Sequence, residues 1–238
     1  MVHMPHWPVP LWRKTQYDLV NISRLLEALG SPHHKLPPVI HVAGTNGKGS
    51  VVAYLSAIFK EAGYRVHSYT SPHLIDFNER IVLDSEKISD DYLWDICEGT
   101  RLAADKNQID VRFFEGVTVA AMLAFSEVPA DILILETGMG GRLDATNIVP
   151  RPVLTIITEI SYDHMEYLGP TLPIIAGEKA GIIKPGIPCV ISKQQDEVYE
   201  QLCIKCEAMR AGITAYEYDF GIKKESDGFY VEGLSHDN

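Results

Sequence analysis

Short apolar runs, separated from one another by stretches of helical periodicity, constrain the fold of this 238-residue chain more than any other feature. PPVIHVA (37–43), DILILE (131–136), VLTIIT (153–158) and PCVIS (188–192) are too short for helices and too continuous for strands with one wet face. RVHSYT (65–70) reads as a further strand. Between them, Leu19, Ile22, Leu25, Leu26 and Leu29 recur at helical spacing and stop at Gly30, and SVVAYLSAIFKEA (50–62) stops at Gly63. The helical period returns in DYLWDICEGTRLAA (91–104) and GVTVAAMLAF (116–125). Strands buried on both faces and alternating with helices predict an α/β architecture, a doubly wound and mostly parallel sheet, as one domain over residues 1–238. Ligands of such sheets gather beyond the carboxyl ends of the strands, which is where chemistry is expected.

The first of those ends opens into HVAGTNGKGS. Gly44 and Gly47 permit tight turns that aim successive backbone N–H groups inward, and Lys48 supplies a mobile positive charge. A helix starting near Lys48 adds the positive end of its dipole. These are the mechanical parts of a phosphate-binding loop, with two departures from the common G-x-x-x-x-G-K-[ST] form. The glycines stand closer together, and Gly49 follows the lysine where a metal-binding hydroxyl usually sits, with Ser50 one residue later. Glycine-rich strand-to-helix turns also occur without phosphate. The lysine inside the loop and its strand–loop–helix setting favour a nucleotide.

Any anion site must be local, because the formal net charge is −11, from 21 Lys and Arg against 32 Asp and Glu. So acidic a surface repels a phosphate backbone and argues against nucleic acid as the main partner. No apolar run reaches the ~18 to 20 residues that span a bilayer, so no membrane partner is expected. MVHMPHWPVPLWRK at the N-terminus has the pattern of neither a signal nor a transit peptide, which points to the cytoplasm. Of the four cysteines, Cys203 and Cys206 form a C-x-x-C within a helical pattern that puts Val198, Leu202, Cys206 and Met209 on one face. No second pair or nearby histidine completes a zinc set, so packing against the core is the expected role.

Other strand ends carry further candidates. Ser71-Pro72 breaks the second strand beside the glycine loop, within reach of a bound metal, although a Ser-Pro pair is commonly only a turn. DILILE delivers Glu136 at its tip, a carboxylate suited to Mg²⁺, followed by Gly138, Gly140 and Gly141, which allow close backbone approach. VLTIIT leads to Asp163 and His164; residue type alone leaves that histidine equally a ligand or an ordinary surface or core residue. Lys179 in GEKAGIIK reads from the residues alone as a solvated helical charge.

GTNGKGS, TSPHL with FNERI, FFEGVTVAAMLAF, ETGMGGRLDATN, SYDHMEYLG and EKAGIIKPG, in this order, closely resemble the folylpolyglutamate synthase/dihydrofolate synthase family of the Mur ligase superfamily. The resemblance runs from about the first helix to at least Ile191, and GKGS with FNERI favours the folate branch over the peptidoglycan branch. It implies that Gly44, Thr45, Asn46, Gly47, Lys48, Gly49 and Ser50 bind ATP, with Lys48 and Lys179 catalytic. It also implies that Ser71 and Glu136 ligate one Mg²⁺ and that His164 and a carbamylated Lys179 ligate a second. Phe113, Phe114 and Glu115, with Leu143, Asp144 and Ala145, fall where relatives hold the pterin-bearing substrate.

The implied reaction has ATP phosphorylate the carboxylate of dihydropteroate or of a (poly)glutamyl folate, after which the amine of L-glutamate attacks the acyl phosphate. Relatives of this family continue into an H-Q-x-x-N-A-type motif and a second domain that supplies most of the glutamate site. The expectation is therefore an incomplete ATP-binding domain whose C-terminal half is missing or separately supplied. The alternative is a truncated nucleotide-binding relative without catalysis. A peptidoglycan ligase would need a UDP-binding domain ahead of the loop. ITAYEYDFGIKKESDGFYVEGLSHDN reads as a strand and then a hairpin turning at Asp227-Gly228.

Overall fold

The computed structural model describes Trp7, residues 18–225 and residues 228–233. The N-terminal stretch read above for a leader, apart from Trp7, lies outside the described residues, as does Asp227 of the turn dipeptide.

Each apolar run forms a strand. These are β1 (Val39–Ala43), β2 (Val66–Tyr69), β5 (Ile132–Glu136), β6 (Leu154–Ile157) and β7 (Cys189–Ile191). They join β8 (Ile213–Ala215) and two short strands that the periodicity did not signal, β3 (Ile81–Leu83) and β4 (Glu86–Lys87). The order is β4-β3-β2-β5-β1-β6-β7-β8, and the run from β2 to β8 is parallel throughout. β3 and β4 add antiparallel at the β2 edge. A separate antiparallel ribbon pairs β9 (Phe220–Glu225) with β10 (Gly228–Gly233), the hairpin expected there.

Seven helices connect the strands among the described residues: α1 (Val20–Ala28), α2 (Lys48–Glu61), α3 (Asp90–Lys106), α4 (Phe113–Glu127), α5 (Met165–Leu168), α6 (Leu172–Lys179) and α7 (Asp196–Met209). Alternate residues of one strand enter different cores, as burial on both faces requires. Leu133 and Leu135 of β5 join Leu25, Leu26, Leu93 and Phe125 from α1, α3 and α4. Ile132 and Ile134 meet Val52 of α2 on the opposite side. A third cluster ties Ile157 and Ile191 to α6 and α7 through Ile175, Val198, Leu202 and Cys206. Cys206 is therefore buried and packed and Cys203 only partly covered, in line with the packing role expected of this pair. No helix among the described residues is long and apolar enough to cross a membrane.

The central strands β1, β2, β5 and β6 end side by side, so their C-terminal loops converge. β1 is the pivot: β5 lies against one flank and β6 against the other, a topological switch point.

Candidate functional site

The glycine loop leaves β1 through Gly44 at φ +149°, where a Cβ would stand 1.8 Å from the Thr158 hydroxyl, so only glycine lets β1 exit beside β6. Gly47 caps α2 in the left-handed region at φ +83°. Between them, Thr45 N and Asn46 N both donate to the Glu159 carbonyl, at 2.8 and 3.2 Å. The Thr45 hydroxyl donates to Ser161 O and accepts from Ser161 N, each at 3.1 Å, and the Asn46 amide reaches Ser161 Oγ at 3.3 Å. Thr45 and Asn46, expected from the resemblance at the phosphates, here moor the loop to the segment after β6. The α2 ladder opens with Val51 N to Gly47 O at 3.0 Å, so the N–H groups of Lys48, Gly49 and Ser50 in the first turn point outward without helical partners. They form a cradle of donors of the kind that suits an anion.

Two amines converge on this cradle. Lys48 Nζ donates to the carbonyls of Gly44 and Thr45, both at 3.2 Å, and lies 4.0 Å from Glu136 Oε1. Lys179 Nζ donates to Gly44 O at 2.7 Å and the residue is only 2% exposed. That corrects the reading of Lys179 as a solvated charge: the end of α6 turns it under the glycine loop rather than toward water. Burial, together with the neighbouring Lys48 charge, pulls its amine down to about 8. Glu136 is also buried, and accepts from Ser71 N at 3.3 Å. Burial raises its carboxyl above the ordinary range, against the opposing pull of Lys48.

Ser71 and Glu136 are thus brought together beside Lys48. His164 is exposed at the cap of α5, with its ring 3.5 Å from Asp163, and among the described residues it makes no hydrogen bond or ion pair to Ser71, Glu136 or Lys179. Among the described residues no three of His, Cys, Asp and Glu cluster as metal ligands. The donor set at Glu136 still suits Mg²⁺, because one carboxylate oxygen has only a 4.0 Å cation beside it and a serine is adjacent. That ion is commonly held by one or two carboxylates with phosphate oxygens and water completing its shell.

Two cavities meet here. One, of about 800 Å³, runs from Thr45, Gly47, Lys48, Gly49 and Ser50 along α2 and reaches Glu136, Ser71 and Pro72. The other, of about 350 Å³, is lined by Phe114, Glu115, Leu143, Asp144 and Ala145, all expected from the resemblance, and also by Ser71 and Pro72. Ser71-Pro72 is therefore the shared wall. Gly138 lets the Phe114 ring close over the second cavity, since a Cβ there would meet the ring at 2.3 Å. Phe113 turns away and packs edge-on against Phe77, ring centroids 5.9 Å apart.

Asp144 holds its loop together. Its carboxylate accepts from Met139 N at 2.8 Å and from the Thr146 backbone and hydroxyl at 3.0 and 2.5 Å. His41 of β1 then meets the Thr146 hydroxyl at 2.8 Å. Arg80 and Arg112 also line the second cavity, and sequence reasoning missed both, as it did His41. His41 hides inside an apolar strand, and Arg80 was only a letter of FNERI.

The Mur ligase middle domain model matches residues 42–237. The dihydrofolate synthase/folylpolyglutamate synthase of Bacillus subtilis is 45% identical over 197 residues, 81% of this chain and 45% of that protein. A solved FPGS–AMPPCP–folate complex matches with a TM-score of 0.85 at 33% identity, over 92% of this chain and 58% of the other. Mycobacterium tuberculosis folylpolyglutamate synthase complexed with ADP gives 0.81 at 34% identity, over 92% and 51%. The chain spans about half the length of the curated relatives it matches. The resemblance carried by the loop motifs is borne out: the chain belongs to the Mur ligase middle-domain family, alongside the dihydrofolate and folylpolyglutamate synthases it matches.

Proposed function

We propose that this chain is the ATP-binding part of a ligase that converts the carboxylate of dihydropteroate or a (poly)glutamyl folate into an acyl phosphate, for amide formation with L-glutamate. One observation carries the reading: the cavity holding the glycine loop, Lys48 and Glu136 and the cavity holding Phe114 and Asp144 abut at Ser71-Pro72. That arrangement brings a phosphate donor and a carboxylate acceptor to a common boundary, which is what in-line transfer needs.

The N–H groups of Lys48, Gly49 and Ser50 receive the phosphates. Lys48 leaves its carbonyl partners to neutralise the transferring phosphoryl group, where two anions must otherwise approach each other. Ser71 and Glu136 hold Mg²⁺, which when bound screens the phosphate charge. An amine lowered to about 8 has an appreciable neutral fraction near neutral pH, and that is the form that adds CO₂. Carbamylated Lys179 with His164 would form the second metal site, once the loop carrying His164 turns inward. The relatives are about twice this length, so glutamate binding by a separately supplied C-terminal half belongs to the proposal, as does a cytoplasmic setting.

Calorimetry of Mg²⁺·ATP binding to the chain and to Lys48→Ala tests the reading. Loss of a charge-assisted contact predicts affinity about tenfold or more weaker in the variant. Equal affinities would remove the loop from the mechanism. Binding of ATP without any binding of a pterin carboxylate would favour the alternative, a nucleotide-binding relative without catalysis.

A further inference from the structure

We infer that Arg80 recognises the carboxylate of the acceptor substrate and holds it at the Ser71 end of the second cavity, an inference that rests on the ligase reading above. Arg80 lines that cavity, and its carbonyl accepts from Thr70 N at 3.1 Å, one residue before the shared wall. Its guanidinium is already oriented: Nε donates to His73 Nδ1 at 3.0 Å, and the carbon of the group stands 5.1 Å from the centre of the Phe77 ring. Those two contacts use one N–H and one face. The terminal nitrogens keep their fork of donors, and among the described residues Arg80 forms no ion pair. A planar fork held in place without a carboxylate partner suits a bidentate carboxylate.

The rest of the cavity gives the substrate a direction. Asp144 and Glu115 line it as well, and both carboxylates are occupied, Asp144 by Met139 and Thr146 and Glu115 by the Arg112 backbone N–H at 2.8 Å. Arg112 also lines the cavity beside Glu115, which leaves Arg80 as the guanidinium at the Ser71 end; it draws an acid's carboxylate there, while Phe114 and Leu143 offer apolar surface to the flat ring. The carboxylate then faces the wall behind which the nucleotide cavity begins. Arg80 is on this account a specificity-determining residue: it separates acids from neutral molecules of the same shape.

The experiment titrates pteroate, and separately its carboxamide, into the 238-residue chain and into Arg80→Ala, Arg80→Gln and Arg80→Lys by calorimetry, each with Mg²⁺·ATP affinity measured alongside. The inference expects the parent chain to prefer the acid. In Arg80→Ala and Arg80→Gln the acid should weaken about tenfold to a hundredfold, with the amide and ATP changed less than about twofold and Arg80→Lys intermediate. Equal losses for acid and amide would mean that Arg80 only shapes the cavity, and an unchanged acid affinity would mean that it does not touch the carboxylate; either overturns the inference alone. Failure of the parent chain to bind either pterin overturns the ligase reading together with it.

Discussion

His41 offers a quantitative test of how the loop carrying Asp144 and Thr146 is fastened to the sheet. It lies fully buried in β1, with Nε2 2.8 Å from the Thr146 hydroxyl. That hydroxyl has one proton, and the short contact to the Asp144 carboxylate uses it. The imidazole must therefore be the donor, which fixes the Nε2–H tautomer. Nδ1 is buried with no hydrogen-bond partner among the described residues, so a second proton would sit unsolvated. Burial, reinforced by Lys184, pulls the ring down to about 3.

A folded-state value below the unfolded one means that stability is fully present above about pH 6.5 and lost as pH falls toward the folded value. Each pH unit in that window costs about 1.4 kcal/mol, so acidification from about pH 7 to about pH 4.5 should remove ~2.5 to 3 kcal/mol through this one ring. The buried carboxyls of Glu136 and Asp144, both raised, act with the opposite sign, because the folded state takes up their protons first. Comparison with His41→Gln, which keeps a donor but cannot titrate, cancels their contribution. Urea unfolding followed by circular dichroism at a series of pH values should show the parent's advantage shrinking by ~2.5 to 3 kcal/mol across that range. A difference that stays constant with pH would refute the tautomer argument.

Two further perturbations probe the loops around the site. Gly44→Ala places a methyl group against Thr158 at a positive φ, and should cost about 2 to 4 kcal/mol in thermal or urea unfolding; a loss under about 1 kcal/mol would show that β1 and β6 separate easily. Glu79 accepts from the N–H groups of Leu74, Ile75 and Asp76, which holds its carboxyl below the usual range. Glu79→Gln should therefore speed amide exchange in residues 74–76 severalfold with little change in melting temperature, and unchanged exchange would mean that the turn holds without it.

The strands were legible because burial on both faces leaves a continuous apolar signature in the residues themselves. β3 and β4 were not, since the two short edge strands span Ile81–Leu83 and Glu86–Lys87 and carry little periodicity. The cradle at Lys48, Gly49 and Ser50 followed from local chemistry. Lys179 did not, because its burial comes from Gly44, 135 residues earlier, a contact that helical spacing cannot encode. The mooring of Thr45 and Asn46 was equally hidden: their N–H groups donate to the Glu159 carbonyl, which only folding brings near. Phe114, Glu115, Leu143, Asp144 and Ala145, named from the resemblance, all line one cavity, while Phe113 packs against Phe77.

The partition formed by Ser71 and Pro72 has a thermodynamic consequence. The same two residues face both cavities, so a shift of Ser71-Pro72 toward one side changes the shape offered on the other. Under the proposed function, any factor by which nucleotide changes the affinity for the pterin acid is the same factor by which the acid changes the affinity for nucleotide.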